Sequence, residues 1–415
     1  MIDASCRCML LRPGGTAMTD ETRTDAIEEA LAHLVLVMED VTDPRGRQGR
    51  RHLLSSVLSI AVLGCLCGCD DAEALEDWAE KEEDWLTDYL ELRWGVPSQD
   101  TFLRVLAAVD QSEFRWAFHR WVRGAFPGAV AADQIAVDGK TARRSGDKRA
   151  DAKAVHMVSA LACDAKVVLA QMPTASKSNE LNAIRALLRI LELKGSLVSI
   201  DAMACQTDVA SRILERGGDY LLSVKDNQAN LREQMVQAFE ATTLEPTRNV
   251  DRLGPPTHEK DTAADAGHGR IEERAVTVIH DFDDWLDEAT RSRWAGLQTL
   301  IRVESRREHE GTGKAQSEKR YTISSRRLTA AEANQRVRTR WEVENGLHYV
   351  LDVSFGEDGY RARKQNAAAN FIVIRHFALN LIRSFDGDKL SVPRRRRLCD
   401  YRPDYREELL ARVAT

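Results

Sequence analysis

Between residues 134 and 239 the chain alternates short apolar runs with stretches of helical periodicity. Apolar runs at 135–137, 155–162 and 167–172 come first. A helical pattern at 180–193 follows, then a run at 197–200, a helix at 206–216, a run at 220–224 and a helix at 229–239. Runs of four to eight apolar, β-branched residues bounded by polar positions predict strands buried on both faces. Before this region, 26–127 carries helical periodicity broken at Pro44, Gly46, Gly95, Pro97 and Pro127. After it, 241–269 is poor in apolar residues and holds Pro246, Pro255, Pro256, Gly267 and Gly269, which predicts a linker or loop. Runs at 274–279, 297–303 and 320–324 read as strands, and helical patterns return at 329–351 and 366–385.

Three consecutive strands followed by helix–strand–helix–strand–helix predict an α/β fold, a mixed sheet flanked by helices with the layout of an RNase H-like core. The chain divides accordingly into a disordered leader at 1–25, an N-terminal helical domain at 26–128, a first core segment at 129–240, a mainly β insertion at 241–325, a second core segment at 326–386 and a basic C-terminal tail at 387–415. Its 415 residues suit two or three structural units better than one core. The apolar stretch 53–69 is shorter than the ~20 residues a membrane span needs and contains three serines, so it reads as a buried helix. Residues 1–17 lack the apolar core of a signal peptide, and Met18 is an equally good start. The eight cysteines, at 6, 8, 65, 67, 69, 163, 205 and 399, show no paired zinc-type spacing and read as reduced thiols of a cytoplasmic protein.

The net charge of −6 conceals its distribution. Residues 70–91 hold eleven acids against one lysine, a local balance of −10, and the remainder is basic. Clusters at Arg45 to Arg51, at Lys140, Arg143, Arg144, Lys148 and Arg149, at Arg336 to Arg340, and at Arg394 to Arg397 have the electrostatic character of phosphate-binding surfaces. Trp285 and Trp294 could stack on an extruded base, although large aromatics more often fill a core. Three carboxylates stand where a metal-dependent nucleic-acid enzyme would place them. Asp138 and Asp201 each end an apolar run, at the mouth of a buried strand, while Val337, Trp341, Glu344 and His348 gather on one helix face at spacings of four, three and four. Two strand ends and one helix face can converge on a divalent cation, and a hard ion such as Mg²⁺ prefers such oxygen ligands.

Five motifs carry a resemblance. Gly139-Lys140-Thr141 after Asp138, Lys177-Ser178-Asn179-Glu180, Ile200-Asp201-Ala202 with Cys205-Gln206, Lys225-Asp226-Asn227-Gln228, and Val343-Glu344-Asn345-Gly346-Leu347-His348 through Val353 occur in one order. Together they resemble the DDE transposases of bacterial insertion sequences, in the ISAs-type group that includes the H-repeat-associated proteins. The resemblance implies an RNase H-like core, a catalytic and metal-binding triad on Asp138, Asp201 and Glu344, and two Mg²⁺ ions for which Mn²⁺ substitutes. It also implies cut-and-join chemistry on double-stranded DNA, both transposon ends and target, by a homodimer or higher oligomer associated with the nucleoid. DNA contacts are expected at Lys140, Arg143, Arg144, Lys177, Lys225, Asn227, Gln228 and Arg340, and end recognition in the N-terminal helical domain. Where wider relatives carry a tyrosine and a lysine on the last helix, this chain has Val337 and Leu351. The alternatives are a metal-dependent nuclease without joining activity and an inactive, transposase-derived DNA-binding protein.

Overall fold

Nine strands run in one mixed sheet of order β3-β2-β1-β4-β5-β9-β8-β7-β6 in the computed structural model, which describes residues 20–146, 153–174, 179–243, 257–267, 270–309, 315–385 and 389–413. The strands are β1 Gln134–Thr141, β2 His156–Ala162, β3 Val167–Thr174, β4 Leu197–Ile200, β5 Asp219–Val224, β6 His258–Gly267, β7 Arg270–Ile279, β8 Thr299–His309 and β9 Ala315–Ser324. β1, β2 and β3 are joined antiparallel, whereas β4 pairs parallel with β1 on one side and with β5 on the other. All four residues of β4 are buried, as expected for a central parallel strand covered on both faces. Helices Glu180–Ile190, Thr207–Glu215 and Ala229–Ala241 connect the strands, each with a buried apolar stripe.

The stretch expected as a separate β insertion continues this sheet. β9 pairs antiparallel with β5, from Leu221↔Ser324 to Val224↔Tyr321, and β8, β7 and β6 follow outward. β6 lies inside the segment expected to be a linker. Its residues 258–260 and 262–264 are exposed, so it lacks the apolar alternation that marks a strand, and backbone pairing to β7 defines it. Val276, Val278, Ile301 and Val303 pack with Leu328, Ala330 and Ala333, and Val337 joins them. Helix Ala330–Thr339, opened by a Thr329/Glu332 capping box, is thereby seated on the sheet.

Contacts divide the chain into two units, 126–353 with 357–363, and 1–125 with 354–356 and 364–415. The second unit is helical, and helix Asp20–Glu39 begins inside the stretch expected as a leader. Helix Leu54–Leu66 is buried throughout and packs on Ala367–Ser384, itself buried from Ala367 to Ile382. Around Phe377 gather Phe118, at 4.9 Å edge-on, and Trp121, at 4.8 Å. The expected second core segment therefore contributes its last helix to this unit. The expected basic tail is two helices, Val392–Tyr401 and Pro403–Ala411. Arg396 is buried over Phe355 at 4.1 Å and paired with Asp70 at 2.7 Å, while Arg406 lies over Trp85 at 4.1 Å and meets Glu82 at 2.6 Å. Two arginines of the terminal segment thus neutralise acids of 70–91 instead of facing solvent. The described cysteines are buried and form no disulfide among the described residues. Among the described residues no helix is long and apolar enough to cross a membrane.

Candidate active site

The register of β1 on β4 sets the first two carboxylates together. Val137 stands opposite Ile200, the last residue of β4, so Asp138 and Asp201 each directly follow a paired position at the same end of a parallel pair. β1 continues past Asp138 to Thr141 along β2, so Asp138 lies within a strand, not beyond its end. Burial pushes Asp138 up to about 7; the negative charges of Glu344 and Glu180 add to this, against the Gly139 amide and Arg340. His348 Nδ1 lies 3.5 Å from Asp138 Oδ2. Burial, with the positive charge of Lys140, holds His348 down to about 3, so it meets Asp138 as a neutral ring.

Asp201 leaves β4 into a tight turn, Ala202–Ala204. That turn is pinned from the segment after β5: Asn227 Nδ2 donates to the Ala202 carbonyl at 2.7 Å and Gln228 Nε2 to the Cys205 carbonyl at 2.8 Å. Neither side chain caps the helix that follows, and both amides are spent on the turn that carries Asp201. Lys225 and Arg340 bring their charges to 3.9 and 3.8 Å from Asp201 Oδ1.

Glu344 lies in a π-helical segment, Val343–His348, between helices Ala330–Thr339 and Tyr349–Ser354. The wider turn departs from the regular helix that the spacing predicts, and such bulges recur at functional sites. Val343 and Leu347 anchor the segment by burial. Burial raises Glu344, and Asp201 adds to it while Arg340, Arg320 and Lys225 oppose. Asp201 and Glu344 line a cavity of about 270 Å³ with Lys225, Arg320, Arg340 and Trp341. The guanidinium groups of Arg320, at 4.9 Å, and Arg340, at 5.4 Å, both lie over the Trp341 ring. At the two positions where wider relatives carry a tyrosine and a lysine, Val337 is half-buried against the core and lines the cavity, and Leu351 is buried.

The expected DNA-contact residues separate into groups. Lys225 and Arg340 reach the carboxylates. Lys140 is 11 % exposed and held by Asp352 at 2.7 Å and Glu357 at 2.5 Å, so its charge is directed inward. Arg143 is exposed, with its Nε 3.4 Å from Asp358, and Arg144 is exposed with its carbonyl accepting from Arg363. Lys177, Lys148 and Arg149 lie outside the described residues. Trp294, expected either to stack on a base or to fill a core, is buried. Sequence reasoning missed His156, and it named Glu180 in a motif without a role; the two form a buried pair at 2.9 Å, with His156 also bonded to Thr141 Oγ1 at 2.8 Å. It also missed Arg320, whose place on β9 beside the cavity depends on pairing across the sheet.

The donor chemistry suits a hard divalent cation: three carboxylates, two of them raised partly by like charge, with the imidazole beside Asp138 neutral. Among the described residues no three His, Cys, Asp or Glu side chains stand as a ready-made ligand set. The residues fit the group in kind and in charge, and binding would have to draw them together.

The family model described as "Transposase DDE domain" matches residues 103–381, and that described as "DDE_Tnp_1-associated" matches 35–122. The chain is 34% identical over 385 residues to "Putative transposase YncI" of Escherichia coli O157:H7, covering 92% of this chain and 95% of that protein. It is 34% identical over 362 residues to "H repeat-associated putative transposase YhhI" of Escherichia coli (strain K12), covering 87% and 93%. With "Putative protein YbfL" of the same strain the identity is 35% over 362 residues, with the same coverage.

Proposed function

The chain belongs to the DDE transposase family, and on that premise we propose that it cuts DNA at the ends of an insertion sequence and joins them to target DNA by in-line phosphoryl transfer. The observation that carries the reading is the parallel register that brings Asp138 and Asp201 to the same end of β1 and β4, with Glu344 bearing electrostatically on both. The catalytic core is read as RNase H-like, since strands β1–β5 have three antiparallel members followed by two parallel ones.

Asp138, Asp201 and Glu344 would hold two Mg²⁺ ions, with Mn²⁺ as substitute. Held there, such ions would supply Lewis-acid activation of the attacking oxygen and charge stabilisation of the leaving one. The attacking oxygen is water in cleavage and a DNA 3′ hydroxyl in joining. Phosphorus gains that P–O bond as the bond to the leaving oxygen breaks. Arg340 and Lys225 present positive charge at the cavity, where a phosphate diester arrives with negative charge, while Arg320 lines it paired with Glu318 at 2.8 Å. Asn227 and Gln228 hold the turn of Asp201. The substrate is double-stranded DNA, and the need to bring two ends together calls for a homodimer or higher oligomer. With chromosomal DNA as substrate, the protein would act in the cytoplasm at the nucleoid.

The test is incubation of the purified protein with duplexes carrying the insertion-sequence ends and a target plasmid. Mg²⁺ or Mn²⁺ should yield nicked and joined products, and Ca²⁺ should support binding without turnover. Products in excess chelator would refute the metal-dependent reading; nicks without joining would reduce the protein to a nuclease.

A further inference from the structure

β1 divides its duties by strand alternation. Asp138 and Lys140 share one face; Gly139 and Thr141 share the other. On the second face, Thr141 bonds His156 and His156 bonds Glu180, both buried, so the end of the strand is held against bending. On the first face, the Lys140 ammonium lies 2.5 Å from Glu357, 2.7 Å from Asp352 and 3.7 Å from Asp358. Asp352 sits in helix Tyr349–Ser354, which continues directly from the π-helical segment holding Glu344. Glu357 is 3 % exposed and takes Lys140 as counter-charge through Oε1, while its Oε2 is buried without a hydrogen-bond partner.

We propose that Lys140 is a positioning residue: by binding Asp352 and Glu357 it ties the strand of Asp138 to the segment leading away from Glu344, and so sets the spacing of two carboxylates that must close on a cation. Lys140 lies two residues past Asp138, and Asp352 eight past Glu344, so a shift at the pair moves both carboxylates. Burial works against the ammonium, yet Glu357 and Asp352 hold its pKa above the ordinary lysine value. This rests on the proposed metal-dependent chemistry. It departs from the expected phosphate contact at Lys140, because a side chain engaged by three acids has little charge to offer DNA.

The experiment compares the full chain with Lys140→Met, Lys140→Arg and Glu357→Gln in three measurements: Mn²⁺ affinity by calorimetry, DNA affinity against salt, and single-turnover cleavage. Positioning predicts that Lys140→Met and Glu357→Gln both weaken Mn²⁺ binding and slow cleavage by about 10- to 100-fold, as loss of groups that orient ligands does. Lys140→Arg should recover part of both, and the salt slope should stay unchanged. Charge alone predicts opposite signs: removing a lysine would tighten Mn²⁺ and removing an acid would loosen it. Opposite signs, or unchanged Mn²⁺ affinity in both variants, overturn the proposal. A salt slope smaller by about 0.9 in Lys140→Met does so too, since it marks a phosphate contact. Should Lys140→Met fail to fold, Glu357→Gln and Lys140→Arg decide. A wild-type protein that binds Mn²⁺ but cuts no DNA refutes the transposase chemistry, and the Mn²⁺ comparison still judges Lys140.

Discussion

Gly139→Ala is the smallest change that should disturb the site from within. A Cβ at this position would stand 2.5 Å from His156 Nε2 and 2.7 Å from Glu180 Cδ, both closer than real Cβ contacts allow. His156 and Glu180 are buried and bonded to each other, so neither can swing away without breaking a charge-assisted bond. The cost should match an overpacked core, about 1–3 kcal/mol. Gly128→Ala, where nothing lies within 4 Å, is the control and should be near neutral. Because the chain holds two units, a global melt mixes transitions. Native-state hydrogen exchange of β1 and β2 amides reads the affected strands directly. Protection there should fall by roughly 5- to 150-fold, the equivalent of that energy. The penalty should shrink in a Glu180→Ala background, where the added methyl has room. Equal protection in Gly139→Ala and Gly128→Ala would refute the close packing of this strand end.

Three further outcomes follow from other regions of the molecule. Burial alone would raise Glu82, but the Arg406 guanidinium and Lys81 hold it below the ordinary value, so its stabilising contribution is full above about pH 4.3 and is lost as pH falls through its folded pKa. Glu82→Gln should therefore cost about 3 kcal/mol at pH 7 by stranding a buried arginine, and the gap to wild type should close in acid; a gap independent of pH would contradict the pairing. Asn227→Ala should slow cleavage about 10-fold or more by releasing the Asp201 turn, while the salt dependence of DNA affinity stays fixed; a flattened slope would make Asn227 a DNA contact instead. Deleting 1–125 strips helix Ala367–Ser384 of helix Leu54–Leu66, so light scattering should show aggregation, and a monodisperse, helical product would contradict the packing described.

β1 and β4 were legible because continuous apolar runs have few fates other than a central strand, and each run stops at its carboxylate. The π-helical segment was not legible. A period of 3.6 fits Trp341, Glu344 and His348, and the buried Val343 and Leu347, four apart, fit a regular helix as well, so no side-chain pattern marks the wider turn. β6 escaped because an edge strand needs backbone partners more than apolar side chains. Arg396 and Arg406 read as tail charges since their acids, Asp70 and Glu82, lie 326 and 324 residues away. The same distance problem hid the engagement of Lys140: Glu357 is 217 residues off, and a lysine beside a carboxylate motif reads as a phosphate ligand when its own partners are invisible.

The central claim, that Asp138, Asp201 and Glu344 form one metal-dependent phosphoryl-transfer centre, meets its most direct test in single-turnover cleavage of end-containing duplex by Glu344→Gln and Glu342→Gln side by side. Glu342 lies two residues before Glu344 and faces Lys166 at 3.4 Å. Loss of a catalytic carboxylate should slow cleavage by more than about a thousandfold with DNA affinity retained, and Glu342→Gln should cut at close to the wild-type rate. Normal cleavage by Glu344→Gln would contradict the account, because the third carboxylate of the centre would then lie elsewhere.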